Sequence, residues 1–147
     1  MVFTNGVFDL LHSGHVFYLE EARRLGDILV VGINSDASTR AIKGPTRPLI
    51  SEHDRAYMLA ALRTVDYVTI FSETTAEALV DTLRPDIYVK GGDYALDPAQ
   101  RAALAVDVQR LPEARVVMAY GGQVQLIPTR QGCSTSALIA RILATAS

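Results

Sequence analysis

The segment Ile28-Leu29-Val30-Val31-Gly32-Ile33 is apolar at every position, with no polar alternation. A half-exposed strand would alternate, so this run reads as a strand buried on both faces. Such strands belong to parallel sheets covered by helices on either side. The rest of the chain repeats the theme, with short apolar runs alternating with segments of helical apolar spacing. Val2-Phe3-Thr4 is a strand, and residues 14–25 carry Val16, Leu19, Ala22 and Leu25 three apart, a helix closed by Gly26. Further strands are expected over 27–34, 67–71, 87–89 and 116–118, with a short extra one over 124–127. Helices are expected over 52–63, 75–83, 98–110 and 134–144, and a loop over 35–51 around Gly44-Pro45. The alternation predicts an α/β fold, doubly wound, with a mostly parallel five-stranded sheet and helices on both faces. With 147 residues, no internal repeat and no linker composition, a single domain is expected.

Composition narrows the partners. A net charge of −2 argues against a general nucleic-acid binder, which is usually basic. No apolar run is long enough to predict a membrane span. The start lacks a basic stretch followed by an apolar one, so no signal peptide is expected. The one cysteine, Cys133, cannot form an internal disulfide, and a cytoplasmic setting is the simplest expectation.

In doubly wound sheets, ligands bind beyond the carboxyl ends of the strands. Four stretches fall there, and they hold most of the unusual residues. The first is Asn5-Gly6-Val7-Phe8-Asp9-Leu10-Leu11-His12-Ser13-Gly14-His15. A chain leaving a strand and entering a helix presents unpaired N–H groups and a positive dipole end, which together attract anions. Gly6 and Gly14 allow close approach, and His12 and His15 can each donate a hydrogen bond and carry charge near neutral pH. Two histidines near a helix start need no function by themselves; the glycines and Asp9 in the same string make the anion reading. A metal reading is also open, but zinc needs three or four protein ligands, and only His53 and Cys133 remain as further N or S donors. No protein metal site is therefore expected, and a nucleotide would bring its own Mg²⁺.

The second stretch, Lys43-Gly44-Pro45-Thr46-Arg47-Pro48, is either an exposed basic turn or a phosphate-capturing flap. Arg55 and Arg63 follow on the next helix, as a solvated face or as further anion contacts. The third, Lys90-Gly91-Gly92-Asp93-Tyr94, combines a cation, flexible backbone and a carboxylate that can accept hydroxyl hydrogen bonds. The fourth, Gly132-Cys133-Ser134-Thr135-Ser136, leads into an apolar-periodic helix. Ser134 is a natural N-cap, and Thr135 and Ser136 add hydroxyls at the same dipole end. No G-x-G-x-x-G string follows a strand, which disfavours a nicotinamide-binding redox domain.

NGVFDLLHSGHVFYL resembles the H-x-G-H signature of the nucleotidylyltransferase superfamily, in its cytidylyltransferase-like branch. Further segments match in order: NSDAST (34–39), KGPTRP (43–48), VDYV (65–68), RPDIYVKGGDY (84–94), YGGQVQLIP (120–128) and GCSTSALI (132–139). Together they look most like the adenylyltransferases that make ADP-heptose, and the resemblance spans residues 2–143. It implies a Rossmann-like domain that transfers a nucleoside monophosphate from a triphosphate, ATP or CTP, to a phosphorylated small molecule with Mg²⁺ present. It implies catalytic roles for His12, His15, Lys43 and Lys90. It implies nucleotide contacts from Asn5, Gly6, Phe8, Asp9, Gly14, Gly91, Asp93, Ser134, Thr135 and Ser136. Arg47, Arg55 and Arg63 are candidate phosphate or acceptor contacts, and a homodimer is expected by the same resemblance. Arg63 departs from the heptose pattern and resembles CTP-dependent enzymes acting on glycerol 3-phosphate, which keeps that alternative open. A nucleotide-binding regulatory protein without turnover is the alternative of another class; the H-x-G-H string and the lysines argue against it.

Overall fold

The computed structural model describes residues 1–91, 111–128 and 133–146. Five strands form one sheet: β1 (Val2–Gly6), β2 (Leu29–Asn34), β3 (Tyr67–Phe71), β4 (Ile87–Gly91) and β5 (Gln123–Ile127). Their spatial order is β3-β2-β1-β4-β5, and every adjacent pair is parallel. The order reverses direction between β1 and β4, so the carboxyl ends of those two strands flank a crevice. The helices are α1 (Ser13–Arg23), α2 (Asp36–Lys43), α3 (Glu52–Ala60), α4 (Glu77–Leu83), α5 (Pro112–Ala119) and α6 (Thr135–Thr145).

Strand alternation divides the core between the two faces. Val2, Val31 and Val89 pack with Leu19 and Ala22 of α1 and Leu59 of α3. Their neighbours Phe3, Val30 and Tyr88 pack on the opposite face with Val80 of α4 and Val117 of α5. β2 is buried along its whole length, as its uninterrupted apolar run requires. The edge strand β5 instead alternates exposed and part-buried positions before its buried last residue. Among the described residues, no helix is long and apolar enough to cross a membrane.

Two expectations are corrected. The loop expected over 35–51 contains helix α2. Its apolar content is too low for periodicity to reveal it, yet the end signals are present. The Ser35 side chain accepts from Ser38 N–H at 3.1 Å, Asp36 opens the helix, and Arg40 and Lys43 close it. The strand expected over 116–118 is the second half of helix α5, and β5 is the true fifth strand. A short apolar run cannot be assigned by periodicity alone. Pro112 starts this helix, and Ala114 and Val117, three apart, are its buried stripe. The helix expected over 98–110 lies outside the described residues.

Arg55 ties the strand ends to the following loops. Its side chain is fully buried, and its guanidinium donates to Ile50 O at 2.9 Å, Val7 O at 2.6 Å and Asp36 Oδ1 at 2.8 Å. One cation therefore joins the exit of β1, the start of α2 and the entry to α3. Removing one partner of a buried pair leaves the others desolvated and unmatched, at a cost of about 3 kcal/mol or more. Arg55→Leu is accordingly expected to lower unfolding stability by about 3 kcal/mol in urea titration; a change within experimental error would contradict this role.

Candidate active site

The chain leaves β1 at Gly6 and turns sharply. Phe8 adopts a left-handed backbone (φ 51°), which a side-chain-bearing residue holds only when its surroundings demand it. Its ring lies over Gly6, where a Cβ would approach Phe8 Cε2 to 3.0 Å. The same ring contacts the His15 imidazole, with centroids 5.1 Å apart. Asp9 is buried next to it. It accepts from Leu49 N–H (2.8 Å) and Ile50 N–H (3.0 Å) and pairs with Arg47 Nη1 (3.2 Å). These bonds draw the loop after Lys43 onto the end of β1.

Helix α1 starts with a capping box built from imidazoles. His12 is the N-cap, and its Nδ1 accepts from Gly14 N–H at 3.1 Å. His15 reciprocates at the third helical position, its Nδ1 facing His12 N–H at 3.4 Å. The two rings stack with centroids 3.8 Å apart and planes 24° apart. Because His12 Nδ1 is an acceptor, its proton sits on Nε2, which remains available as a donor. Burial lowers the pKa of His12. Burial, reinforced by His12 and Lys43 and opposed by the Leu10 carbonyl, lowers that of His15 to about 4. Burial, with the neighbouring ring and Lys43 adding to it at His15, therefore disfavours the charged form of both imidazoles in the free protein and holds His15 neutral near pH 7.

Gly14 has a second reason to be glycine. A Cβ there would stand 2.8 Å from Cys133 Cβ and 2.9 Å from His12 Nδ1. The start of α1 thus abuts the start of α6, and Cys133 Sγ lies 3.5 Å from Ser13 Oγ. Ser134 caps α6 by accepting from Ala137 N–H at 3.1 Å. Two helix N-termini consequently meet at one place, where their dipoles favour an anion.

From the sheet side, Lys90 extends from the end of β4. Its Nζ donates to Asn5 O at 3.1 Å and approaches Asn5 Oδ1 at 3.4 Å, and Tyr88 Oη donates to the same Oδ1 at 2.7 Å. Burial pulls the Lys90 pKa down, and the Glu113 carboxylate opposes the shift. Lys43, the last residue of α2, faces it across the crevice.

These groups line one cavity of about 400 Å³. Of the residues singled out from the sequence, it brings together Asn5, Gly6, Phe8, Asp9, His12, Gly14, His15, Lys43, Lys90, Gly91, Ser134, Thr135 and Ser136. Arg47 turns to Asp9 rather than to the cavity. Arg55 is spent on backbone carbonyls and Asp36, so its candidate role as a phosphate contact is replaced by a structural one. Arg63 is exposed beyond the end of α3 and lines neither this cavity nor its neighbour. Asp93 lies outside the described residues.

Tyr18 is a lining residue that sequence reasoning missed. Its hydroxyl lies 2.6 Å from Thr4 Oγ1 and donates to Val89 O at 3.0 Å, and its ring covers Gly91. The available signal was its place one turn after His15, on the same face of α1. A second cavity, about 360 Å³, adjoins the first, sharing Asn5, Gly6, Val7, Lys43 and Lys90 with it.

Among the described residues, no group of three or more His, Cys, Asp or Glu is placed to hold a metal ion. Asp9 is the carboxylate among the described residues lining the first cavity, and its oxygens are engaged by Leu49, Ile50 and Arg47. This donor set fits a Mg²⁺ carried on phosphate oxygens and water rather than in a protein cage.

A family model described as cytidylyltransferase-like matches residues 3–141. The bifunctional protein HldE of Syntrophotalea carbinolica is 56% identical over 143 residues, which cover 97% of this chain and 27% of that protein. HldE of Geobacter sulfurreducens is 52% identical with the same coverage. The chain thus spans about a quarter of the length of these curated relatives. Among solved structures, the lipopolysaccharide core biosynthesis protein from Thermoplasma volcanium superposes with a TM-score of 0.62 at 30% identity, covering 88% of this chain and 94% of that one. The sheet order, the paired imidazoles at the start of α1 and these likenesses agree: the chain belongs to the cytidylyltransferase-like family and is a nucleotidyltransferase.

Proposed function

We propose that this chain joins the AMP moiety of ATP to a sugar 1-phosphate, heptose 1-phosphate, and releases pyrophosphate. The observation that carries the chemistry is the convergence of two helix N-termini, two stacked imidazoles and two lysines on one cavity at the β1–β4 crevice. The choice of ATP and heptose phosphate rests on the NSDAST, KGGDY and YGGQVQLIP segments and on the HldE relatives.

In this reading the triphosphate lies across the starts of α1 and α6. The acceptor's phosphate oxygen attacks the α-phosphorus in line. The new P–O bond forms as the α–β bridge breaks, and the electron pair leaves with pyrophosphate. The acceptor needs no general base, because a phosphate monoester is mostly dianionic at neutral pH. Catalysis is then a matter of position and charge. His12 and His15 donate to the bridging and leaving oxygens. Lys43 closes over the triphosphate from α2. Lys90, anchored on Asn5, holds the two reacting phosphates together against their mutual repulsion. Ser134, Thr135 and Ser136 bind the far end with the dipole of α6. Mg²⁺, bound with the triphosphate, supplies charge neutralisation.

Removing a donor aimed at developing charge typically costs about 2.7–4 kcal/mol of transition-state stabilisation. His15→Ala is therefore expected to reduce turnover by roughly a hundredfold or more in a pyrophosphate-release assay. Undiminished turnover by a correctly folded variant would refute the role.

The histidines also predict a pH signature. Free His15 is unprotonated above about pH 4. Triphosphate oxygens favour the imidazolium, so the complex holds more protons than its separated partners. By linkage, ATP affinity rises as pH falls toward the free-state value. Calorimetry in buffers of differing ionisation enthalpy is expected to show proton uptake on ATP binding; uptake of none would contradict the arrangement.

Substrate choice is read by offering ATP and CTP each with heptose 1-phosphate and glycerol 3-phosphate. Turnover is expected with ATP and the heptose. Turnover confined to CTP and glycerol 3-phosphate would keep the mechanism and replace the substrates.

A further inference from the structure

Asn5 and Lys90 line the cleft, but the residue that sets their relation to each other does not. Tyr88 pairs with Phe3 in the β1–β4 register, and its ring stacks on Phe3 with centroids 6.1 Å apart. It is fully buried and lines neither cavity. Asn5 and Lys90 each stand two residues further along their strands, so the four residues share one face of the sheet. From within the core, the Tyr88 hydroxyl donates to Asn5 Oδ1 at 2.7 Å.

A buried tyrosine hydroxyl needs a partner wherever it lies. What distinguishes this partner is its second contact. Lys90 Nζ donates to Asn5 O at 3.1 Å and reaches Asn5 Oδ1 at 3.4 Å. Oδ1 thus faces two donors at once. An asparagine amide carries an acceptor at one end and a donor at the other, and the ends have nearly the same shape. The torsion that turns it is soft. Held only by the long contact to Lys90, the amide would be free to turn away or to present Nδ2 to the ammonium, donor against donor. The short bond from Tyr88 keeps the oxygen in place.

We propose that Tyr88 is a positioning residue of the nucleotidyl-transfer site: its hydroxyl holds the Asn5 amide with the oxygen toward Lys90 and so fixes the ammonium that receives the reacting phosphates. The proposal rests on the reading above, in which Lys90 holds those phosphates. An ammonium has three N–H groups. Among the described residues, Lys90 directs two of them at Asn5, which leaves one for phosphate. Fixing the first two aims the third, and in a reaction driven by position that aim matters as much as the charge. The same oxygen favours the charged form of Lys90 against burial, alongside the Glu113 carboxylate.

The chain contains two lysines, Lys43 and Lys90, so ¹³Cε-lysine NMR reads each ammonium separately, and Lys43→Arg assigns the signals. Tyr88→Phe keeps the ring on Phe3 and removes the hydroxyl. An acceptor held against an ammonium favours its charged form, so the Lys90 midpoint is expected to move to lower pH in Tyr88→Phe while that of Lys43 stays. The other charged or titratable groups lining the two cavities, among them Asp9, His12, His15, Tyr18 and Glu113, are the same in both proteins. In an Asn5→Asp background, Tyr88→Phe is expected to leave the Lys90 midpoint where it was. A carboxylate has no donor end, and charge draws it to the ammonium without help from the tyrosine. A packing defect would act in both backgrounds alike. An unmoved midpoint in Tyr88→Phe, or an equal shift in the Asn5→Asp background, overturns the proposal. Should Tyr88→Phe not fold, Tyr88→Leu carries the same comparison and is judged in the same way. Pyrophosphate release by folded Tyr88→Phe is expected to fall about tenfold, as the loss of one hydrogen bond to a charged group implies; undiminished release overturns the positioning role. The two readings fail separately. An unaltered protein that turns nothing over, yet shows the Lys90 shift in Tyr88→Phe, keeps the Tyr88–Asn5–Lys90 link and loses the transfer reading. Turnover with an unmoved midpoint removes the link alone.

Discussion

Asp9 and Arg55 form the clamp on which the shape of the cleft depends. Asp9 takes the backbone N–H groups of Leu49 and Ile50, and Arg55 takes the carbonyls of Val7 and Ile50 with the carboxylate of Asp36. Between them they fasten the exit of β1 to both ends of the segment that carries Lys43. Buried ionic groups of this kind contribute little net stability over an apolar replacement of the same shape, but they are unforgiving of a missing partner. Their effect is to hold a polar loop in one arrangement over a crevice that hydrophobic packing alone would leave undefined.

On that frame, the cleft achieves anion affinity without a large fixed positive charge. Its two imidazoles are stacked and partly withdrawn from water, so the free protein does not carry the repulsion of two imidazoliums beside Lys43 and Lys90. The helix starts supply oriented N–H groups at no reorganisation cost. Lys90 is sheltered by burial, and Glu113 compensates by favouring its charged form. Two lysines, Lys43 and Lys90, are thereby shared by the two adjoining cavities. This distribution fits a reaction in which two phosphates must be brought together in one place.

Much of this was legible in the sequence, for a physical reason. Strands such as Leu29–Asn34 announce themselves because burial on both faces leaves no room for polar residues. The stretch from Asn5 to His15 announces a ligand site because two imidazoles, two glycines and Asp9 gather at one strand-to-helix junction, beyond what a helix start requires. Helix α2 escaped notice because its signals are caps and charges at the ends rather than an apolar stripe. Val116-Val117-Met118 misled because three apolar residues fit a strand or a helix equally well, and Pro112 with the α4–α5 packing decided the matter.

The sequence by itself determined the layered α/β architecture, the parallel character of the central strands and the set of residues gathered at their carboxyl ends, since these follow from local patterning. Only the tertiary structure decided what each polar group faces. Arg55, Arg47 and Lys43 share one stretch and one charge, yet the first is buried against carbonyls, the second turns to Asp9 and the third lines the cleft. Likewise Glu113 carries no mark in its own segment, and Tyr18 only its place one turn after His15. They enter the cavities because α1 and α5 cross the ends of strands far away in the chain, and such long-range placement depends on the packing of the whole sheet rather than on any neighbouring residue.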